Sequence, residues 1–497
     1  MSKAAILGRR MAATLLLGST ALATSAQADT LREALAGAYT TNPTLQAARA
    51  QQRATDEEVP IQKSRALPDV SVTGNHIEFV KTSPNSFTTP ERRLQIGPDL
   101  QVPIYSGGAI KNSIKAAKER VAAGQADLRG TESAIFSQVV AAYMDVLRNE
   151  AVVALSENQV EVLGVNLQAT SDRFEIGDLT RTDVAQSQSR LAVAQSDLRS
   201  AQANLISARE TYIQLVGEAP TNLQAPPPLP GLPDTVGTAV VTALENNPDL
   251  IAAKERAAAA GFDSEVAGSG RLPTLGAFAG LDYTNYFGTL GGPVSADFNQ
   301  NETTANFGLQ LTIPIFQGGR PAAQQRQAYA RETAALEQAV AAERNVIAQV
   351  RSAWEAWQAA NAIIESSQAA VSAAELSLEG VRAENSIGNR SILDVLNAEQ
   401  ELLGARVQLV TARRNAYVAG FSLLAAMGRA EARDLNLDTG GPLYDPQINY
   451  DRVSGKFWDW DRDPEPEAVS TSTVDIPAPD ATIGPIDESP VDQSEGD

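Results

Sequence analysis

The chain has 497 residues, a formal net charge of −20, a single histidine and no cysteine. The lack of cysteine rules out disulfides and cysteine-ligated metals, and one histidine, His76, argues against a catalytic triad or a histidine metal site. The acidic balance argues against a nucleic-acid partner, because nucleic acid is bound by faces rich in lysine and arginine. We therefore expect no enzymatic activity, no catalytic residue, no cofactor and no metal.

The N-terminus has the three parts of an export signal. A basic region with Lys3, Arg9 and Arg10 precedes a short apolar core, and Ala26-Gln27-Ala28 forms an A-x-A cleavage site. Residues 1–28 are thus predicted to be a signal peptide. No later stretch has the roughly 18 apolar residues that a transmembrane helix requires, so only a β-barrel could span a membrane.

The mature chain begins with helical patterns that are followed by a strand. Thr30 and Glu33 form a capping box, and Asn42-Pro43 supplies the cap and the first residue of a second helix. Leu67-Pro68 ends this helical region. An alternating pattern from Val70 to about Val80 then predicts a strand.

A second strand runs from Leu94 to Ile104, with apolar side chains on one face and mainly polar ones on the other. Pro103, near the end of this strand, and the Gly-Gly pair after it are expected to stop the strand and turn the chain. The Gly-Gly pairs lack the Lys-Ser/Thr of a phosphate loop, so we interpret them as turns. This strand–helix junction occurs twice: Pro103, Gly107 and Gly108 in the first copy, and Pro314, Gly318 and Gly319 in the second.

A very long helix is predicted from about Ser106 to Asp172, which at 1.5 Å per residue would be about 100 Å long. Its apolar residues recur every seven positions, and the helix that returns after the turn at Arg173–Val184 has the same spacing. Such spacing is typical of coiled-coil packing. The two seams are Val139, Val146, Val153, Val160 and Leu167, and Val184, Leu191, Leu198, Leu205 and Tyr212.

The whole unit is then repeated. Asn247-Pro248 lies 205 residues after Asn42-Pro43, and from the strand–helix junction onward the offset is 211 residues. The acidic end of the chain is predicted to be disordered, because it lacks lysine and arginine. The predicted organisation is a signal peptide (1–28), a first repeat (29–217), a proline-rich linker (218–235), a second repeat (236–428), a C-terminal region (429–462) and a disordered tail (463–497).

Two strands per repeat give four per chain, whereas a membrane barrel needs about eight. Open strand edges are not tolerated in lipid. The chain must therefore oligomerise if these strands span a membrane, and a trimer would supply twelve. The predicted fold class is an α+β membrane protein, in which a trimeric twelve-stranded β-barrel with four strands per chain is continued by a long α-helical barrel. It contains an internal duplication.

From about Thr30 to Gly428 the sequence resembles the TolC family of outer-membrane channel-tunnels. The motifs that carry the resemblance are the VPIYSGG and IPIFQGG junctions and the turns RFEIGDLTRTDV and ENSIGNRSILDVLNAEQ. The resemblance implies a homotrimer in the outer membrane of a Gram-negative bacterium, with a periplasmic tunnel and an equatorial belt built from the linker and the C-terminal region. It also implies a periplasmic adaptor (membrane fusion) protein and an inner-membrane ABC or RND-type transporter as partners.

The implied function is a passive exit duct for efflux or type I secretion, and the first turn looks closest to the type I secretion branch. A competing function is a secreted periplasmic coiled-coil scaffold, in which the alternating strands would be buried in protein rather than lipid.

In that family, the second turn between the long helices carries a glycine, an arginine and two aspartates that close the periplasmic entrance. Gly388, Arg390 and Asp394 match these positions, whereas Asn397 replaces the second aspartate. Asn385 replaces a tyrosine that would bond to the neighbouring turn. We expect the first replacement to weaken cation binding by the acidic ring and the second to loosen the closed state.

In the first turn, Thr182 and Asp183 match the family's bonding partners, and the hypothesis is a tip closed by Asp183 and Arg390. The alternative is that Thr180-x-x-Asp183 and Ser391-x-x-Asp394 are simply capping boxes that start the return helices. Four residues at the two turns are assigned to adaptor docking: Gly177, Asp178, Gly388 and Asn389.

Overall fold

The structure is a computed structural model that describes residues 30–81, 88–291, 298–437 and 439–483. The predicted signal peptide and the last fourteen residues of the predicted tail, 484–497, lie outside the described residues. Among the helices of the described ranges, none is long and apolar enough to cross a membrane.

The first repeat contains five helices and two strands: α1 (Leu31–Thr41), α2 (Pro43–Asp56), α3 (Glu58–Ser64), β1 (Asp69–Glu78), β2 (Arg92–Tyr105), α4 (Ala109–Glu175) and α5 (Arg181–Val216). The second repeat and the helix that follows it are α6 (Val236–Asn246), α7 (Pro248–Ser269), β3 (Thr274–Asn285), β4 (Asn301–Thr312), α8 (Arg320–Ser386), α9 (Ile392–Ala426) and α10 (Pro446–Val453).

The elements confirm the predicted duplication. Helices α4 and α8 each have 67 residues, which corresponds to about 100 Å of helix. Helices α1 and α6 each have 11 residues and end at an Asn-Pro pair, in which the asparagine caps the next helix. One unit of helices, two strands, long helix and return helix has therefore been used twice.

The two asparagine caps also hold the short helices against the return helices. The Asn42 side chain donates to the Leu215 carbonyl oxygen (3.0 Å), and its own oxygen accepts from the backbone at the start of α2. Asn247 donates to the Ala426 carbonyl oxygen (2.9 Å) in the same way. Each asparagine thus satisfies polar groups at the ends of two helices, and the second repeat reproduces the arrangement of the first.

The four strands form one antiparallel sheet in the order β1-β2-β3-β4. Its register aligns Val70, Leu100, Ala279 and Phe307 in one row across the sheet, so that these side chains lie on the same face. The adjacent row lies on the opposite, polar face and consists of Ser71, Asp99, Gly280 and Asn306. The alternation predicted from the sequence therefore produces one apolar and one polar face.

The two outer strands of this sheet, β1 and β4, each have a free edge. Within the described residues, β1 pairs with β2 alone and β4 pairs with β3 alone. Their outer N–H and C=O groups have no strand partner among the described residues, and such edges readily pair with another chain.

Pro103 does not end β2, which continues to Tyr105, and this corrects the prediction that the proline stops the strand. The pairing of β2 with β1 ends at Gln101, so the missing N–H of Pro103 removes no bond to β1. A bulge follows Pro103 on the side of β3. In the second repeat, β4 ends at Thr312, before Pro314, as predicted.

The long helices pack as two antiparallel hairpins, α4 with α5 and α8 with α9. The heptad seams face the interior of these hairpins, as expected for the predicted coiled-coil packing. Fully or nearly fully buried seam residues are Val139, Val146, Val153, Leu205 and Tyr212 in the first hairpin, and Val350, Val371, Leu378, Leu402 and Leu409 in the second.

The linker and the start of the C-terminal region pack around the middle of the hairpins, and α10 lies closer to the sheet. Leu223 of the linker is buried in the main core, and the Tyr143 hydroxyl donates to the Gln224 carbonyl oxygen (2.6 Å). Helix α10 lies beside α2, where the Asn449 side chain donates to Asp56 (2.6 Å). These two segments therefore surround the junction of the short and long helices.

Asp480, Thr482 and Ile483 in the described part of the tail contact the rest of the chain, while the disorder of the tail stays a prediction. Arg209 of α5 donates to the carbonyl oxygens of Asp480 (2.8 Å) and Thr482 (3.0 Å), and Ile483 packs against the main core. Arg209 also pairs with Glu150 of α4 (2.7 Å). An arginine on the return helix thus supplies partners that composition alone does not reveal.

Candidate functional site at the tip of the helical hairpins

The two turns that join the long helices have the same geometry. Gly177 has a φ of 84° and Gly388 a φ of 81°, a left-handed conformation that favours glycine. In the first turn, Asp178 N donates to the Arg173 carbonyl oxygen (2.9 Å), and in the second, Asn389 N donates to that of Glu384 (2.9 Å). These bonds end the descending helices and reverse the chain within a few residues.

Asp183 and Asp394 both form capping boxes at the start of the return helices. The backbone N–H of Thr180 donates to the Asp183 carboxylate (2.9 Å), and the Asp183 N–H donates to the Thr180 hydroxyl (3.3 Å). Ser391 and Asp394 exchange the same two bonds at 3.1 and 3.3 Å. Within one chain, the helix-start interpretation therefore describes both aspartates.

The same bonds lower the pKa of both carboxyl groups. For Asp183, the side-chain and backbone hydrogen bonds from Thr180 favour the ionised form and hold its pKa below the usual range. The bonds from Ser391 lower the pKa of Asp394 in the same way, with a small further effect of Arg390. The stabilising effect of each cap is present at neutral pH and is lost only as the pH falls through the lowered pKa.

Arg390 pairs across its own turn. Its Nε donates to Glu384 at 2.7 Å, and this bond is the main reason that its pKa is raised. The Asn385 side chain donates to the Arg390 carbonyl oxygen (2.8 Å), so Asn385 stabilises the turn from inside. Arg173 and Asp178 form the corresponding ion pair in the first turn (2.6 Å).

The described residues contain no ion pair between Asp183 and Arg390 of the same chain. Thr182, beside the first turn, and Arg390 are exposed, whereas Asp183 is half-buried and bonded to Thr180 of its own turn. The bond between Asp183 and Arg390 stays a prediction about neighbouring subunits.

Asn397 connects the two hairpins near the tip, which the sequence did not reveal. Its side-chain oxygen accepts a hydrogen bond from Arg190 of α5 (2.8 Å). Beneath this bond, Leu396 packs against Leu163 and Ala194 of the first hairpin. Arg190 and Asn397 are 207 residues apart, and although Asn397 lies in the motif of the second turn, no pattern in the sequence pairs it with Arg190.

The strand–helix junctions use glycine as predicted. Gly107 and Gly108 have φ values of 63° and 87°, and Gly318 and Gly319 have values of 61° and 80°. Gly108 and Gly319 are the N-caps of α4 and α8. Both pairs therefore turn the chain from the sheet into a long helix. Among the described residues, no group of histidine and carboxylate side chains could hold a metal ion.

The fold is shared with solved outer-membrane channels. The crystal structure of the CmeC outer membrane channel of Campylobacter jejuni matches this chain with a TM-score of 0.71 at 17% sequence identity, covering 86% of this chain and 89% of that one. A four-stranded antiparallel sheet continued by two long helical hairpins is thus a fold that this chain shares with a solved outer-membrane channel, and the predicted fold class is confirmed.

Residues 34–218 and 239–429 match the model of the outer membrane efflux protein family, and the chain belongs to this family. It is 33% identical over 447 residues to the outer membrane efflux protein BepC of Brucella suis biovar 1 (strain 1330), covering 90% of this chain and 95% of BepC. It is 29% identical over 301 residues to the outer membrane protein TolC of Escherichia coli (strain K12), covering 59% of this chain and 61% of TolC.

The predicted resemblance to the TolC family, the outer-membrane localisation and the channel function are thereby confirmed. The family's members are channels rather than enzymes. The absence of an enzymatic activity in this chain, the roles of the tip residues and the domain boundaries stay predictions.

Proposed function

We propose that three copies of this chain form the exit duct of a tripartite efflux or type I secretion system. The duct conducts substrate passively from an inner-membrane transporter, of the ABC or RND type, across the periplasm and the outer membrane. A periplasmic adaptor protein docks at the tip turns, at Gly177 and Asp178 of the first and Gly388 and Asn389 of the second. In this proposal the tunnel does no chemistry, and the transporter supplies the energy.

One observation carries the proposal: the apolar-faced sheet has two free edges. Lipid contains no water to satisfy the open N–H and C=O groups of β1 and β4, so each edge must pair with a strand of another chain. Three chains supply twelve strands, above the minimum of about eight for a closed membrane barrel. The two hairpins of each chain then continue the barrel as a helical tube.

The same assembly places the tip residues around the axis of the tube. We propose that Arg390 and Asp183 of neighbouring hairpins close the entrance, while three copies of Asp394 form an acidic ring. Asn397 lacks the charge for a second ring and instead stabilises the contact with Arg190 of its own chain (2.8 Å). The linker (218–235) and the C-terminal region (429–462) form an equatorial belt around the tube, and α10 and the residues after it extend from this belt toward the sheet, with Tyr450 packed near Ala117 of α4.

Fractionation tests the duct against the periplasmic scaffold. The duct predicts that the full-length protein is in the outer-membrane fraction, as a trimer that dissociates only when it is heated in detergent. A soluble protein in periplasmic extract, with no such trimer, would contradict the duct and support the scaffold.

The gate is tested by the single-channel conductance of the trimer in planar bilayers. Replacing Arg390 by serine removes a charge from each of three hairpins at the tip, and we expect conductance to rise several-fold. Asp183→Ala is expected to raise it as well, because it removes the partner.

Arg406→Ser is the matched control for the gate, because Arg406 pairs with Glu375 (2.8 Å) on the same hairpin but away from the turn. It should leave conductance unchanged. If Arg390→Ser and Asp183→Ala both conduct like the wild type, the gate assignment is wrong, although the duct itself would stand.

A further inference from the structure

A short aromatic segment follows α10 and lies against the short helix α3. Lys63 of α3 donates to the Ser454 carbonyl oxygen (2.7 Å), and the next residues, Lys456–Asp463, lie beside Ile61 and Ser64. Val59 of α3 is in turn buried against Ala117 of α4. The segment is therefore fixed to the helices that lead into and out of the first two strands.

Three large aromatic side chains of this segment are exposed: Phe457 (76%), Trp458 (67%) and Trp460 (73%). The backbone that carries them is held in place by ion pairs. Lys456 contacts Asp461 (3.1 Å) and Asp463 (3.4 Å), and Arg452 makes two bonds to Asp463, both of 2.8 Å. The Asp461 N–H donates to the Trp458 carbonyl oxygen (3.1 Å) and closes a turn between them. The aromatic groups are thus presented on a fixed turn.

The contacts of this segment show how far it lies from the sheet along the long helices. Ala117 lies about two helical turns, or roughly 12 Å, from the start of α4. From Val59, helix α3 runs back toward the sheet, so Ile61, Ser64 and the aromatic segment lie between that level and the strand–helix junctions. The aromatic segment therefore lies just beyond the end of the sheet, on the side of the long helices.

Exposed apolar residues connect the sheet with this level. They flank the end of the sheet and continue along α3, and they are Ile61, Leu67, Ile104, Tyr105, Ile313, Ile315 and Phe316. The apolar face of the sheet is the face that meets lipid in an outer-membrane channel. Phe457, Trp458 and Trp460 extend this band beyond the end of the sheet.

We propose that the segment Phe457–Trp460 binds the interfacial region of the periplasmic leaflet of the outer membrane. Tryptophan favours this depth because its ring is apolar while its N–H can bond to headgroups and water. Asp459, which separates the two tryptophans, remains in the hydrated headgroup layer. The ligand class is phospholipid, and the segment fixes the height of the channel in the bilayer. This inference rests on the proposed function, in which the sheet spans that membrane.

Fluorescence quenching in liposomes tests the proposal. The chain has four tryptophans, and Trp354→Phe with Trp357→Phe leaves Trp458 and Trp460 as the only ones. The full-length trimer is reconstituted into phosphatidylethanolamine liposomes whose acyl chains carry bromine close to the headgroup. We expect this variant to lose at least half of its fluorescence relative to unbrominated liposomes, while acrylamide in the buffer quenches it little.

The matched control is Trp458→Phe with Trp460→Phe, which keeps Trp354 and Trp357 of α8 and should be insensitive to brominated lipid. If the first variant does not fold, the quenching of Trp458 and Trp460 is obtained by subtracting the fluorescence of this control from that of the wild type. Strong quenching by acrylamide alone would overturn the proposal in favour of exposure to water. Resistance to both quenchers would overturn it in favour of burial against a sister chain.

The conductance of the same reconstituted trimers separates failure of this proposal from failure of the duct. Trimers that conduct but show no quenching by brominated lipid contradict the lipid contact alone. Protein that forms no trimer and no channel contradicts the duct.

Discussion

Replacing Gly428 by alanine is expected to abolish most of the folded trimer. Gly428 follows the end of α9 with a φ of 71°, and a Cβ there would lie 2.4 Å from the Asn246 carbonyl oxygen and 2.9 Å from the Asn247 nitrogen. Both are backbone atoms, so neither can move without displacing the α6–α7 connection. Left-handed strain and overpacking together should destabilise each chain by roughly 3–5 kcal/mol.

The duplication provides a matched control at Gly217, which ends α5 with a φ of 88°. A Cβ at Gly217 would meet only the Thr41 side chain, at 3.1 Å. Gly217→Ala should therefore cost about 1–2 kcal/mol, from the backbone conformation alone. The measurement is the urea midpoint of the purified trimer. Equal midpoints for the two variants would contradict the close approach of Asn246 to Gly428.

Leu309→Arg is expected to prevent assembly in the outer membrane. Leu309 lies on the apolar face of β4, is 68% exposed in the single chain and aligns with Ala277 of β3. A charged side chain near the middle of the lipid-facing band costs about 2–4 kcal/mol per chain. The trimer would carry three such charges, so heat-modifiable trimer should fall to a small fraction of the wild-type amount.

Gln310→Arg is the control for this substitution, because Gln310 is the next residue of the same strand and lies on the opposite face. Facing water inside the barrel, an arginine there should be tolerated, with normal trimer and an altered ion selectivity. If Leu309→Arg assembled normally while Gln310→Arg did not, the two faces of the sheet would be assigned the wrong way round.

The architecture was predictable because it depends on local periodicities that occur twice. A period of two marked the strands, a period of seven marked the hairpin seams, and the offsets of 205 and 211 residues located the second copy of each element. Paired motifs such as Asn42-Pro43 and Asn247-Pro248 have the same structural role in both copies, as their bonds to Leu215 and Ala426 show. Local chemistry thus determined element types and order.

Contacts between distant segments could not be predicted in this way. The hydrogen bond from Arg190 to Asn397 joins two polar residues that no sequence pattern relates. In the sequence, Asn397 is notable only because it replaces an aspartate. The contacts of Arg209 with Asp480 and Thr482 could not be predicted from the composition of the tail. Composition does not show which groups on the neighbouring helix can bind the tail. The effect of Pro103 could not be predicted because it depends on where the neighbouring strand β1 ends. The pairing with β1 ends at Gln101, so the N–H that Pro103 lacks is not needed there.

The central claim is that β1 of one chain pairs with β4 of the next. Because the chain has no cysteine, one cysteine in each edge strand reports this contact directly. Ser71 on β1 is combined in turn with Thr304, Asn306 or Gln310 on β4, all on the polar face of the sheet. Outer membranes containing these variants are oxidised and separated in denaturing gels without reductant.

The account predicts that at least one of these pairs is converted to covalent dimers and trimers, because cysteines directly opposite each other in adjacent strands are close enough to bond. Variants with a single cysteine in β1 or β4 should remain monomeric. Monomers alone from every pair, in membranes where each cysteine can be labelled, would contradict closure of the barrel by sister chains.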